Sequence, residues 1–101
     1  MSTLHLVNRP PERGDGLAAA LRVAAPGDAV LLLEDGVYAA ARGTEGATLL
    51  AGRDASVTLH VLEPDLRARG LAGRLVEDAE AVDDAGFVAL AVVHGRTASW
   101  S

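Results

Sequence analysis

The sequence predicts a single three-layer α/β/α domain with a mostly parallel sheet of about five strands, and three observations lead there. Ala29-Val30-Leu31-Leu32-Leu33 runs apolar without alternation and stops at Glu34-Asp35-Gly36. A short continuous run of this kind fits a strand buried on both faces, as in a parallel sheet. Strand-like and helix-like segments then alternate along the whole chain, which is the pattern of a parallel sheet covered by helices. With 101 residues and no internal repeat, the chain holds one domain spanning residues 1–101.

The elements follow in order. Leu4–Val7 reads as a first strand, and the two prolines and two glycines of residues 8–16 make a loop. Leu17, Ala20, Leu21 and Ala24 recur at helical spacing, so residues 17–25 form a helix that Asp15 or Gly16 opens and Pro26-Gly27 ends. The buried strand covers Ala29–Leu33. After the Asp-Gly break, Val37-Tyr38-Ala39-Ala40-Ala41 begins a short helix reaching about Arg42, and residues 47–52 supply another helical turn. Val57–Leu62 is rich in β-formers. Glu63-Pro64-Asp65 opens a helix that ends at Gly70, with proline early and acids in the first turn. Glu80–Val82 is a short strand. Asp83 or Asp84 caps a helix through about Val93 with Phe87, Leu90 and Ala91 on one face, and Thr97–Trp100 forms an edge strand.

Composition narrows the function classes. The net charge is −5, and all nine basic residues are arginine. Such a surface is a poor match for a phosphate backbone, so no direct nucleic-acid partner is expected. There is no apolar run of membrane length and no signal-like start, so a cytoplasmic protein with no membrane partner is expected. No cysteine is present, which removes disulfides, thiolate metal sites and any persulfide carried by this chain. Half the residues are hydrophobic but only Tyr38, Phe87 and Trp100 are aromatic. A core of alanine, valine and leucine in so short a chain favours an oligomer.

Candidate chemistry is sparse. Asp35 stands at the carboxyl end of the buried strand, where open α/β sheets place their working surface. A hard cation or a phosphoacceptor role there needs further carboxylates at the end of the first strand. That strand ends in Asn8-Arg9 instead, so Asp35 reads as a turn or cap residue or as an interface residue. His5, His60 and His94 show no short ligand spacing, and no metal site is expected. Neither a nucleophile elbow nor a phosphate-binding glycine loop occurs. No catalytic residue and no cofactor are assigned. Arg67, Arg69 and Arg74 either face solvent or meet an acidic partner, and Trp100 is a core plug or an interface anchor.

Several segments, taken together, resemble one family. They are residues 4–9, residues 21–28, Leu31-Leu32-Leu33-Glu34-Asp35-Gly36-Val37-Tyr38-Ala39-Ala40, Val61-Leu62-Glu63-Pro64-Asp65-Leu66-Arg67-Ala68-Arg69-Gly70-Leu71, residues 82–88 and Trp100. In this order and spacing the chain resembles the TusB/DsrH family, the small subunits of the TusBCD and DsrEFH sulfur-relay complexes. The resemblance implies a DsrEFH-like fold. It also implies TusC/DsrF-like and TusD/DsrE-like partners in a heterohexamer, with a TusE/DsrC-like sulfur carrier met indirectly. The family's helix cysteine falls on Ala20, so the resemblance implies a non-catalytic subunit. It makes Asp35, Gly36, Val37, Tyr38, Arg67, Arg69 and Trp100 the interface candidates. Without a cysteine the balance favours the branch that thiolates tRNA wobble uridine. A DsrH-like role in dissimilatory sulfur oxidation and a stand-alone ligand-binding domain using the Asp35 region are the alternatives.

Overall fold

The computed structural model describes residues 1–101. Five strands form one wholly parallel sheet in the order β4-β3-β2-β1-β5. They are β1 (Thr3–Val7), β2 (Ala29–Leu32), β3 (Thr58–Leu62), β4 (Glu80–Val82) and β5 (Arg96–Trp100). The helices are α1 (Gly16–Val23), α2 (Glu45–Ala51), α3 (Glu63–Ala68) and α4 (Asp84–His94).

The handedness of parallel crossovers accounts for the layering. From β1 to β4 the chain steps across the sheet in one direction, and right-handed connections put α1, α2 and α3 on one face. The last connection returns past β1 to the opposite edge, so α4 lies alone on the other face. The main core accordingly joins Val7, Val30, Leu32, Leu59 and Val61 to Leu17 and Ala20 of α1, Leu50 of α2 and Leu66 of α3. A smaller core joins Leu4, Ala29 and Leu31 to Phe87, Leu90 and Ala91 of α4. All four residues of β2 are buried, as a central strand covered on both faces requires.

The expected elements are present, with one correction of type and a few of boundary. Residues 34–40 form a 3₁₀ segment rather than an α-helix starting at Val37. Its backbone is held from outside: Gly36 packs so close to the end of β1 that a Cβ there would lie 2.1 Å from the Val7 carbonyl oxygen. Glu34 enters the segment with φ +50°, and its N–H donates to Asp65 Oδ2 at 2.6 Å. A local propensity cannot anticipate such long-range partners. The central strand ends at Leu32, although Leu33 still donates its N–H to the Val7 carbonyl. Helix α1 ends at Val23, short of Ala25. Asp15 precedes it without making a side-chain cap, whereas the Asp83 side chain does cap α4, accepting from Gly86 N–H. Gly95 (φ +79°) closes α4 in the left-handed conformation that glycine adopts without steric cost.

Candidate functional site

Three consecutive strands bring charged groups together at their carboxyl ends. Arg13 lies in the 3₁₀ turn Pro11–Arg13 after β1, Asp35 in the segment after β2, and Asp65 and Arg69 in and just beyond α3 after β3. The Asp35 carboxylate accepts from Arg69 through Nε and Nη2, each at 2.9 Å, and its other oxygen accepts from Arg13 Nη2 at 2.9 Å. Arg69 Nη1 also donates to the Asp65 carbonyl at 3.1 Å. Asp65 in turn holds the Glu34 N–H. The hydrogen bond from Arg69 and the charge of Arg13 hold the Asp35 carboxyl below the usual carboxylate range.

This cluster is a brace. Asp35 is engaged on both oxygens by arginines, which leaves it neither a free nucleophile nor the centre of a carboxylate cage. No three His, Asp or Glu side chains converge to hold a metal ion. Beside the brace lies a cleft of about 410 Å³, lined by Pro10, Arg13, Tyr38, Thr44, Leu71 and Arg74.

The structure narrows the residues proposed for partner contact. Gly36 and Val37 are buried and point into the domain, so neither offers a side chain to a partner; the tight seat of Gly36 against β1 is the cause. Arg69 is largely consumed by Asp35. Arg67 is exposed and pairs with Glu63 one helical turn away, which holds its guanidinium above its ordinary pKa. Tyr38 and Arg74 face solvent, and Asp35 is half-exposed. Ala20 is fully buried in the main core. A thiol at that position would be shut away from solvent and from any sulfur donor.

A second polar cluster lies among β1, β5 and the turn before β2. Trp100 Nε1–H reaches His5 Nδ1 at 3.0 Å, and His5 Nε2 lies 2.9 Å from Asp28 Oδ2. An indole nitrogen only donates, so Nδ1 is the acceptor and Nε2 carries the proton given to Asp28. Asp28 also accepts from the N–H groups of Thr3 (2.9 Å) and Ala25 (3.0 Å). Burial alone would raise the Asp28 pKa, but the hydrogen bonds from Ala25, His5 and Thr3 outweigh it and bring it down to about 2. Both His5 ring nitrogens and both Asp28 oxygens have partners, so the cluster is a structural latch on β5. Sequence reading singled out His5 and Trp100 but not Asp28. The only local signal was an aspartate standing directly before a fully apolar strand.

The fold and these sites define a small, wholly parallel α/β protein whose polar clusters are internally satisfied and which offers no thiol. The chain belongs to the DsrH-like family: the family described as "DsrH like protein" matches residues 10–97. It is 41% identical to Protein TusB of Escherichia coli O81 (strain ED1a) over 97 residues, covering 96% of this chain and 99% of that one. The same identity and coverage hold for Protein TusB of Klebsiella pneumoniae (strain 342). Among solved structures, the ychN protein of E. coli superposes with a TM-score of 0.74 at 15% identity, covering 98% of this chain and 99% of that one. A protein of unknown function from Methanobacterium thermoautotrophicum gives 0.72 at 16% identity, with 97% of each chain covered. These two likenesses establish the fold. No helix is long and apolar enough to cross a membrane.

Proposed function

We propose that this chain is a non-catalytic subunit of a cytoplasmic sulfur-relay assembly that serves 2-thiolation of tRNA wobble uridine. Its partners in this reading are TusC/DsrF-like and TusD/DsrE-like subunits in a heterohexamer, which pass sulfur to a TusE/DsrC-like carrier. The observation that carries the reading is a DsrH-like domain with no cysteine, in which the residue at the expected cysteine position, Ala20, is sealed in the core. Relay requires a thiolate that attacks the terminal sulfur of a persulfide and expels the donor thiolate. In this assembly a partner must provide that thiolate. This chain contributes surface, and the exposed Tyr38 and Arg67, with the half-buried Trp100, are its candidates.

The test is co-expression with the two homologous subunits, then incubation with a cysteine desulfurase, cysteine and radiolabelled sulfur. The expected outcome is a stable three-protein complex with reductant-sensitive label on a partner and none on this chain. Label on this chain would overturn the non-catalytic role. Failure of the three proteins to co-purify would overturn the subunit role.

A further inference from the structure

The two edges of the sheet are finished differently. Edge strand β4 spans only Glu80–Val82 and is set among acids, with Glu77 and Asp78 before it and Asp83 and Asp84 after it. Short length and charge keep a sheet edge from pairing with another chain. Edge strand β5, Arg96-Thr97-Ala98-Ser99-Trp100, lacks these protections beyond one arginine at its start. It pairs with β1 in regular register along all five residues and holds no proline and no acid.

One hydrogen bond fixes where its free backbone groups point. Asn8 N–H donates to the Trp100 carbonyl, so the main-chain groups of Trp100 turn towards β1. Along a parallel strand the main-chain groups of successive residues turn to opposite sides. Arg96 and Ala98 therefore also turn towards β1, while Thr97 and Ser99 direct their N–H and C=O outwards. Both residues are exposed. Side chains alternate as well, so Arg96, Ala98 and Trp100 share the face covered by α1.

We propose that β5 pairs antiparallel with β5 of a second copy of the chain, about a two-fold axis at Ala98, so that the two sheets join into one. The strand is complementary to its own reverse, and this selects the occupant. With the axis at Ala98, Thr97 lies opposite Ser99 of the second copy, and the two exchange both main-chain hydrogen bonds on either side of the axis. Every outward N–H and C=O of the strand is then satisfied. Arg96 lies opposite Trp100 of the second copy on the same face, which sets a guanidinium beside an indole. Arg96 has donors to spare, because only its Nη2 is engaged, by the Met1 carbonyl. On the other face the Thr97 hydroxyl meets that of Ser99, and no like charges oppose each other. An isologous contact of this kind closes at the dimer. It is independent of the sulfur-relay role.

Sedimentation and amide hydrogen exchange of the full-length chain test it. The wild type is expected to show a concentration-dependent monomer–dimer equilibrium. In the dimer the Thr97 and Ser99 amides exchange about ten-fold or more slowly than in the dilute monomer. Ser99→Pro removes an outward donor that the β1 pairing does not use, at a position where an edge strand tolerates proline. It weakens the dimer by about ten-fold or more, while Val92→Lys, on the exposed side of α4, leaves it unchanged. Circular dichroism establishes that each variant is folded. A wild type that stays monomeric to about 0.5 mM overturns the proposal. So does a dimer in which the Thr97 and Ser99 amides are not slowed, or one that a folded Ser99→Pro variant forms normally. Co-expression with the homologous subunits separates this from the subunit role. If Ser99→Pro abolishes their capture while the isolated wild type is monomeric, the edge belongs to them and the second-copy proposal falls. If the wild type dimerises through β5 but captures neither subunit, the dimer stands and the subunit role falls.

Discussion

Asp28→Ala is expected to remove a large share of the stability of this domain. The aspartate is only 6% exposed, and its carboxylate accepts from Thr3 N–H, Ala25 N–H and His5 Nε2–H. Truncation strands the buried His5 donor, at about 1–3 kcal/mol, and the part-buried N–H groups of Thr3 and Ala25, at less each. The expected loss is about 3–5 kcal/mol, against the total of about 5–15 kcal/mol usual for a domain of this size. The carboxylate also ties stability to pH. Its folded pKa of about 2 lies below the reference value of 3.8. Its contribution is therefore fully present above about pH 4 and is lost as pH falls from about 4 towards 2, about 2 kcal/mol in all. Asp28→Asn should flatten that acid limb without abolishing it, because Asp35 and Asp54 are lowered in the same direction. Urea unfolding at neutral pH and at several acid values measures both effects. An acid limb identical in wild type and Asp28→Asn would refute the assignment.

Gly36→Ala should be comparably severe, for a steric reason. The added Cβ would lie 2.1 Å from the Val7 carbonyl oxygen and 2.9 Å from its carbon. Both are backbone atoms of a strand paired on either side, so no side chain can swing away. The Val7 carbonyl also accepts from Leu33 N–H, and displacing it breaks that bond. Ordinary overpacking costs about 1–3 kcal/mol, and a rigid backbone neighbour puts this case at or beyond the upper end. Gly73→Ala is the control, because nothing lies within 4 Å of its Cβ position. Denaturant midpoints should fall steeply for the first variant and hardly move for the second. A Gly36→Ala protein within about 1 kcal/mol of wild type would mean that residues 34–40 do not press on β1 as described.

Much of the fold was readable because burial leaves a local trace. The apolar run at residues 29–33 announced a strand covered on both faces, and the Leu17–Ala24 spacing announced an amphipathic helix. The 3₁₀ segment was not readable. Its geometry is set by Val7 and Asp65, which are distant in sequence, and the tight seat of Gly36 looks locally like an ordinary turn glycine. The two polar clusters were only half legible for the same reason. Asp35 stood out by position, but its arginine partners come from separate connections 22 and 34 residues away. Asp28, His5 and Trp100 meet across nearly the whole chain. The valines of α4 are plain in the sequence, but an exposed valine looks there the same as a buried one, and only the packing of Phe87, Leu90 and Ala91 on the sheet shows that Val88, Val92 and Val93 lie outside.

The pairing of β5 with β1 has a consequence for the order of events in folding. Residues 3–7 cannot complete their second edge until residues 96–100 have been made and α4 has crossed the sheet. Contacts of such sequence separation are slow to form, because the loop-closure cost comes before the gain. During synthesis β1 therefore waits, paired with β2 alone and with one edge open. The step that ends this exposure is the docking of Trp100 against His5, 95 positions away. Trp100 is the sole tryptophan, so its fluorescence reports directly on the seating of β5 against β1.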